Sequence, residues 1–330
     1  MAVGSGIGSQ LSVGEESTFG TAATLNRHVP VKSFKVALEA EDMEIEGLAA
    51  GRAAAFDQIR TTRAGMAEVE MPAWNRGLGV YLRQIFGGTV TPVQQAATTA
   101  YLQSLVLTDP RGRMLSVQGG MPDTGGTVRP YTALGAKCTG MEISCAKGET
   151  ATMKWEFASR DITEATGLAT ASYTSPISVF NWSQLGVKLG TFNSEATVQG
   201  VRGFSLKLSR PLDLDGSFYA GNAGLRSEPN WNAHMEVSGT IDIDYVTKAD
   251  FVDRYMANTS TAMVIEFIGP IIASTFAETL RFRVPKAFFG GEIPAVPDNG
   301  VLKASVPFMG RLDLTNGLVT CDYMSLDTTV

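Results

Sequence analysis

Cysteine is scarce in this sequence of 330 residues. The three cysteines, Cys138, Cys145 and Cys321, form an odd number, and no two of them are spaced as Cys-x-x-Cys. A disulfide framework or a cysteine-rich zinc site needs thiols in pairs or clusters. The pattern therefore indicates buried, reduced thiols and no redox or metal-binding role for them.

Long hydrophobic runs are also missing. The strongest candidate, residues 262–272, is shorter than a membrane-spanning helix and contains Glu266, Gly269 and Pro270. The first residues lack the basic and apolar regions of a secretory signal. We expect neither a signal peptide nor a membrane partner.

Charged residues are few, at 18% of the chain against about a quarter in an average soluble domain. Either part of the surface is used for partners, or a large core lies beneath uncharged polar surfaces, and composition leaves both open. The net charge of −6 comes without a basic stripe. This excludes a protein that wraps nucleic acid by neutralising phosphates, but not one past which DNA must slide.

Catalytic motifs are absent as well. The two histidines, His28 and His234, belong to no Ser/His/Asp or zinc pattern, and the Gly-Gly pairs lack the Lys-Ser/Thr of a phosphate-binding loop. Several carboxylates occur at i, i+2 spacing, but on predicted strands with no desolvating pocket. We expect no enzymatic activity, no cofactor and no metal site.

The chain does contain repeated strand-like alternation. Residues 34–38 and 43–47 alternate apolar and polar side chains, and the second stretch ends in a turn glycine. Helical spacing runs over residues 75–86 and stops at Gly87-Gly88. Further strands are predicted at 102–107, 141–145 and 152–157.

The same order of patterns returns after residue 200. The matched stretches are 34–38 with 204–208, 43–47 with 212–216, 65–71 with 239–245 and 81–86 with 251–256. Each half also ends in a strand that reads Phe-x-x-Arg, at Phe157 and at Phe308. The repetition predicts a duplicated domain. The competing explanation is that alternation and glycine turns are common in all β-rich chains.

These patterns divide the chain into an N-terminal arm (1–30), a first module (31–165), a connector (166–200) with a strand or two of its own, and a second module (201–330). The predicted fold is mainly β. Each module should form two packed antiparallel sheets with a flanking short α-helix. The arm should be extended or irregular, either lying on a neighbouring subunit or forming a disordered tail.

Residues 15–22, Glu-Glu-Ser-Thr-Phe-Gly-Thr-Ala, resemble the arm that opens many phage major tail proteins, the tail tube proteins of long-tailed phages. The order of strand, glycine-ended acidic hairpin, short helix and strand is also similar to that family. So are Val284-Pro285-Lys286 and the Phe308-x-x-Arg311 ending. The resemblance covers nearly the whole chain.

This resemblance implies two orthogonally packed sheets flanked by a helix in each module. It further implies rings that stack into a hollow virion tail tube, assembled in the host cytoplasm, with six modules lining the lumen. The implied partners are other copies of the chain, tape measure and terminator proteins, and DNA in transient, non-specific passage. The commonest tube subunit carries one module. Two modules in this chain predict a trimeric, pseudo-sixfold ring in place of a hexamer.

Acidic residues that alternate with apolar ones should share one face of a strand. If that face lines a lumen, it repels the DNA backbone; the alternative is the solvated outer face of an ordinary sheet. The candidates for lining the lumen are Glu44, Glu46, Asp213, Asp215, Glu68, Glu70, Asp242 and Asp244.

Four residues are candidates for intersubunit contacts. Glu15, Glu16 and Phe19 lie in the predicted arm, and Trp182 lies in the predicted connector.

Two other functions stay open. One is another ring-forming tail protein, such as a distal tail or tail-completion protein. The other is a β-rich carbohydrate-binding protein, which would need aromatic platforms that the sequence does not show.

Overall fold

The computed structural model describes residues 5–47, 55–291 and 301–330. Within them, strands dominate and there are two α-helices, which confirms the predicted mainly β fold. The helices are α1 (Gly79–Phe86) and α2 (Val252–Met256), and single 3-10 turns occur at Gly6–Gly8 and Trp182–Gln184. The strands of the N-terminal half are β1 (Gln10–Glu15), β2 (Arg27–His28), β3 (Ser33–Ile45), β4 (Asp57–Pro72), β5 (Val93–Gln94), β6 (Tyr101–Val106), β7 (Leu115–Pro122), β8 (Val128–Cys145), β9 (Thr152–Ser159) and β10 (Asp161–Thr163). Those of the C-terminal half are β11 (Leu185–Thr191), β12 (Ser194–Thr197), β13 (Val201–Ser209), β14 (Glu236–Asp244), β15 (Thr261–Ala273), β16 (Phe276–Phe289), β17 (Lys303–Gly310) and β18 (Thr320–Ser325).

Most of the strand pairings fall into two series of seven, all antiparallel. The first series joins β1 to β2 and β7, β7 to β8, β8 to β9 and β10, β9 to β4, and β4 to β3. The second series joins β11 to β12 and β15, β15 to β16, β16 to β17 and β18, β17 to β14, and β14 to β13. The seven pairings of one series therefore recur in the other, in the same order along the chain.

The two series also agree in register. Phe34 lies opposite Val69 in the first series, as Phe204 lies opposite Ile241 in the second. The β7–β8 pairing slips between Leu115 and Val117, and the β15–β16 pairing slips between Thr261 and Met263. A β-bulge at the same position in both series bends the two strand pairs in the same way.

One of the sequence matches is displaced by two residues. The alternation suggested that Gly65 corresponds to Gly239, but Ala67 and Gly239 are the residues that lie opposite Phe157 and Phe308. Apolar and polar residues alternate in a strand with a period of two. An alignment that is shifted by two residues therefore fits the alternation equally well, and the sequence alone could not exclude it.

The two series are joined into a continuous sheet. β8 pairs with β13 from Cys145↔Phe204 to Gly140↔Ser209, and β18 pairs with β6. Across the first of these junctions the strands follow one another as β3, β4, β9, β8, β13, β14 and β17. The strands β11 and β12 lie within the predicted connector and belong to the second series.

The N-terminal residues are extended, and they lie on their own chain. β1 pairs with β7 along its whole length, and β2 pairs with β1. Of the two expected alternatives, extended or irregular, residues 10–15 adopt the extended one, because hydrogen bonding to β7 holds their backbone. Residues 1–4 lie outside the described part.

Helix α1 starts later than its spacing predicts. Gly77 has φ = 81°, which no helix contains, and the side chain of Asn75 receives a hydrogen bond from the backbone N–H of Ser178. The helix itself is buried on nearly all sides, with Leu82, Ile85 and Phe86 fully inaccessible. Among the described residues, neither helix has the length and apolar composition needed to span a bilayer.

Candidate functional site

One face of the continuous sheet is polar. Strand residues alternate between the two faces, so the buried Val69, Trp155, Leu206 and Ile241 place their sequence neighbours on the opposite side. We call that opposite side the polar face. It consists of the outward side chains Lys35, Glu68, Glu70, Lys154, Glu156, Glu142, Ser144, Ser205, Lys207, Thr240 and Asp242.

Acids and lysines alternate across this face. Lys154 lies opposite Glu70 on one side and opposite Glu142 on the other. Glu142 in turn lies opposite Lys207, and the amine of Lys35 is 3.8 Å from a carboxylate oxygen of Glu68. Of the residues that define the polar face, five are acids and three are lysines, so the face is acidic but not uniformly so.

Three of the predicted lumen-lining acids belong to the polar face. Glu68 and Glu70 project from β4, and Asp242 projects from β14 beside Gly203. Asp244 ends β14 and accepts a hydrogen bond of 2.5 Å from Nε of Arg202. That hydrogen bond, with the positive charge of Arg202, lowers the pKa of Asp244 from its usual value.

Glu44 and Glu46 lie at the far end of the β3–β4 hairpin. Glu44 is opposite Gln58, and Glu46 directly follows β3; both are exposed. They extend beyond the part of the sheet that β9 covers, since β9 pairs with β4 only from Gly65 onward.

The predicted strand over residues 212–216 is wrong. Pro211 cannot donate a backbone hydrogen bond, and only Leu212 forms a bridge, to Trp231. Asp213 instead caps a turn, its Oδ1 accepting a 3.0 Å hydrogen bond from the backbone N–H of Gly216. Asp213 and Asp215 therefore do not project from one face of a strand, although their alternation with leucine resembles one.

The segment that contains these aspartates lies against the first series. The backbone N–H of Arg63 in β4 donates to the carbonyl of Gly224, and a guanidinium N–H of Arg226 donates to the carbonyl of Ser159. Glu228 forms an ion pair with Lys137 of β8, whose side chain is nearly inaccessible. Burial lowers the pKa of Lys137, and the carboxylate of Glu228 partly offsets that effect.

The four candidates for intersubunit contacts make contacts within the chain. Glu15 accepts a hydrogen bond of 2.8 Å from Nε of Arg83 on α1. The ring of Phe19 covers Gly135, where a Cβ atom would lie 2.8 Å from Cε2 of the phenylalanine. The partly buried Trp182 packs against the core, and its backbone N–H donates to the carbonyl of Glu149.

Glu16 is buried and holds the segment after β1 in place. Its carboxylate accepts hydrogen bonds of 2.8 Å from the backbone N–H groups of Gly20 and Gly135 and from Oγ of Ser116. Burial raises the pKa of Glu16 above its usual value, although these hydrogen bonds act in the opposite direction. Whether any of the four residues also touches another subunit stays a prediction.

Sequence reasoning missed five charged members of the polar face: Lys35, Lys154, Glu156, Glu142 and Lys207. Each lies within a stretch that was predicted to be a strand, so alternation could have placed them on the outward side. Unlike the predicted acids, these five residues do not form pairs of acids that alternate with apolar residues. Only the register shows that Lys35 and Glu156 lie opposite Glu68 and that Lys154 lies opposite Glu70. Among the described residues, no three His, Cys, Asp or Glu side chains are grouped so that they could hold a metal ion.

A family model described as "Phage tail tube protein" matches residues 6–310. No curated protein is similar to this chain at a significant level. The match covers the strands from β1 to β17, including the β8–β13 junction that carries the polar face. The chain therefore belongs to the phage tail tube protein family.

Proposed function

We propose that this protein is the repeating subunit of a phage tail tube, whose rings stack into a hollow tube through which DNA passes. The family match over residues 6–310 carries the proposal, and it supports a structural role in the virion tail. The role needs no catalysis. Assembly takes place in the host cytoplasm, with tape measure protein inside the tube and terminator protein at its end.

Each series of strand pairings supplies one module. The recurrence of seven pairings and of one β-bulge supports a duplication. The pairing of β11 with both β12 and β15 favours starting the second module at residue 185 and not at 201. Three chains then supply six modules, giving a trimer with pseudo-sixfold symmetry.

The polar face lines the lumen. Its acids outnumber its lysines, so the wall repels the phosphate backbone and leaves DNA free to slide. The interspersed lysines limit the repulsion between neighbouring acids on adjacent strands, where like charges directly opposite are destabilising. In this arrangement Glu44 and Glu46, at the far end of the β3–β4 hairpin, lie nearer to a ring boundary. Asp213 and Asp215 contribute negative charge to the lumen from a turn and not from a strand.

Electron microscopy of the purified protein tests the proposal. We expect long tubes with a central channel; single rings would favour another ring-forming tail protein, and monomers in all conditions would refute polymerisation.

A reconstruction without imposed symmetry should be sixfold near the channel and threefold at the periphery. We expect the peripheral difference to come from β5 and β6, which have no counterpart among the described strands of the second series. True sixfold density throughout the ring would exclude the trimer.

A further inference from the structure

One buried arginine has two hydrogen-bond donors without a partner. Arg210 directly follows β13 and is 2% exposed. In the described part of the chain, its guanidinium donates one long hydrogen bond, from Nη1 to the carbonyl of Gln84 at 3.3 Å, whereas Nε and Nη2 are buried and have no partner. A buried cation that lacks hydrogen bonds lowers the stability of a folded protein. Arg210 is therefore a candidate for a role other than holding the fold.

The other series of strand pairings has no cation at this position. The register that matches Gly239 with Ala67 makes Arg210, the residue after β13, equivalent to Ala40 of β3. Ala40 is exposed and uncharged. Two strand pairs of the same register therefore form with and without the guanidinium, so the sheet itself does not require it.

The two donors without a partner are the pair with which an arginine holds a carboxylate. Nε–H and one N–H of Nη2 point in the same direction, at the spacing of two carboxylate oxygens. In this protein Arg63 holds Asp161 in that way, with a distance of 2.6 Å from each nitrogen. Arg60 holds Asp42 likewise, at 2.8 and 3.2 Å. The same side of the Arg210 guanidinium is thus suited to a carboxylate.

A second buried cation lies near Arg210. Lys137 on β8 is 2% exposed, and its Nζ donates to the carbonyl of Pro110 at 3.0 Å and to the carboxylate of Glu228. Burial lowers the pKa of Lys137, and the charge of Arg210 acts in the same direction. Burial also lowers the pKa of Arg210, to about 10. Two desolvated positive charges therefore act on each other in this part of the molecule.

An open cleft of about 390 Å³ lies over these cations, lined by residues 108–111 and 229–231. Lys137 donates to a backbone carbonyl of the cleft wall, and the guanidinium carbon of Arg210 is 5.7 Å from the centre of the Trp231 ring. Trp231 is 46% exposed. Its indole therefore lies between the buried guanidinium and the solvent in the cleft.

The charge of this region is positive, although the chain as a whole carries a net charge of −6. Arg111 pairs with Asp109 at the cleft, and Lys137 pairs with Glu228 beneath it. These two ion pairs cancel, so the charge that remains is that of Arg210, whose Nε and Nη2 have no partner among the described residues. Charge complementarity therefore favours an anionic ligand in this cleft.

The cleft is larger than one carboxylate, and much of its wall is apolar. Pro110, Pro229 and Trp231 lie in it beside the polar Thr108 and Asn230. A ligand that fills the cleft therefore carries an apolar portion next to its carboxylate. An acidic, proline-containing peptide combines these properties, since proline-rich segments dock against aromatic side chains.

We propose that this cleft binds an acidic, proline-containing segment of a partner protein, with one Asp or Glu carboxylate of the segment held by Nε and Nη2 of Arg210. The indole of Trp231 turns aside to admit the carboxylate and then packs against the apolar part of the segment. The backbone stays in place, because hydrogen bonds join residues 211–213 to residues 230–232. All of these groups belong to one chain, so the site is independent of the proposed tube.

Fluorescence anisotropy of a labelled peptide of alternating Glu and Pro, titrated with the 330-residue chain, tests the site. We expect saturable binding, and far weaker binding of a Gln-Pro peptide, which has the same shape without the charge. Arg210→Met should weaken binding about tenfold or more, since hydrogen bonds to a charged group are strong. The matched control, Arg129→Met, removes the same charge near the start of β8, away from the cleft, and should bind as the wild type does.

Arg210→Lys separates the bidentate contact from the charge, and it covers the case in which Arg210→Met does not fold. Lysine keeps the positive charge but cannot hold a carboxylate through two parallel donors. We expect this variant to melt like the wild type and to bind the Glu-Pro peptide several-fold more weakly. Tryptophan emission should change when the peptide binds to the wild type, and the change should be absent in Trp231→Phe.

The proposal is overturned by any of the following results: no saturable binding of the Glu-Pro peptide, equal binding of the Gln-Pro peptide, or wild-type affinity in the folded Arg210 variants. An emission change that persists in Trp231→Phe would place the peptide elsewhere on the protein and would also overturn it. None of these results bears on the tube function, which electron microscopy of the wild-type protein tests separately.

Discussion

Glu266 on β15 is a buried carboxylate between two cations on neighbouring strands. Its side chain is 3% exposed, and Oε1 and Oε2 lie 2.5 Å from Nζ of Lys188 and 2.7 Å from Nε of Arg281. Burial by itself raises the pKa of Glu266, but the hydrogen bonds from Lys188 and Arg281 outweigh it, and the pKa is lowered from its ordinary value of 4.5. The three side chains link β11, β15 and β16, which are neighbouring strands of the second series.

Glu266→Gln should lower the free energy of unfolding by about 1–3 kcal/mol at pH 7, because two cations lose a charged partner. A carboxylate with a depressed pKa contributes stability above its unfolded pKa and loses it as the pH falls through the folded value. The gap between wild type and variant should therefore shrink below about pH 4. Urea unfolding from pH 3 to pH 8 measures it. Glu164→Gln, at an exposed position, is the control, and a gap that does not change with pH would contradict the assignment.

At the scale of the element, β14 is closely confined by the two strands that flank it. Gly239 lies opposite Leu206 of β13 on one side and opposite Phe308 of β17 on the other. A Cβ atom at this position would lie 2.1 Å from the carbonyl oxygen of Ser205 and 2.6 Å from Cζ of Phe308. The equivalent position in the first series holds Ala67. The strands around β4 and those around β14 are therefore not packed equally closely at this position.

Gly239→Ala should destabilise the protein by about 1–3 kcal/mol, because β13 and Phe308 must move to admit the methyl group. Thermal unfolding of the isolated chain measures the loss. Gly167→Ala is the matched control: nothing lies within 4 Å of its added Cβ, and we expect a change within about 0.5 kcal/mol. Equal stability of the two variants would show that β14 is less constrained than the strand register indicates.

At the scale of the whole molecule, the role proposed for the polar face makes its charge decisive: if the face lines a channel, its charge determines whether DNA binds to the wall. Glu68 and Asp242 project from different series of strand pairings, so each ring presents both several times if the face lines the channel. Neither carboxylate is needed to hold the fold: Glu68 has only a long, exposed pairing with Lys35, and Asp242 is exposed. Exposed pairs of this kind contribute little to stability.

The double variant Glu68→Lys with Asp242→Lys should assemble normally but retain DNA. Lysines facing the lumen would attract phosphate, and the attraction should weaken steeply with added salt. Binding of a short labelled duplex to assembled tubes measures the effect, and DNA release measures it in complete phage. Glu164→Lys with Glu195→Lys changes the net charge equally at positions away from the polar face. Equal DNA binding by the two double variants would exclude these acids from the channel.

Local patterns in the sequence were sufficient to predict the β-rich class and the presence of short helices. Strand alternation reports which side chains share a face, and glycine reports turns, so residues 34–38 and 204–208 could be predicted as strands without knowledge of their neighbours. The same local rule failed at residues 212–216. There, Pro211 and the Asp213 cap produce a turn with the same spacing of acids and leucines.

The partners of each strand were decided only by the tertiary structure. Register between distant strands depends on packing and on bulges, so the sequence could not distinguish Gly65 from Ala67 as the counterpart of Gly239. Nor could it show that β8 pairs with β13, whereas the equivalent edge of β3 has no partner among the described strands. Alternation fixes which face a side chain occupies, but the neighbours on that face are set by long-range backbone hydrogen bonds. For that reason acidic residues lie, in the folded protein, opposite lysines from strands that are distant in the sequence, as Glu70 does with Lys154 and Glu142 does with Lys207.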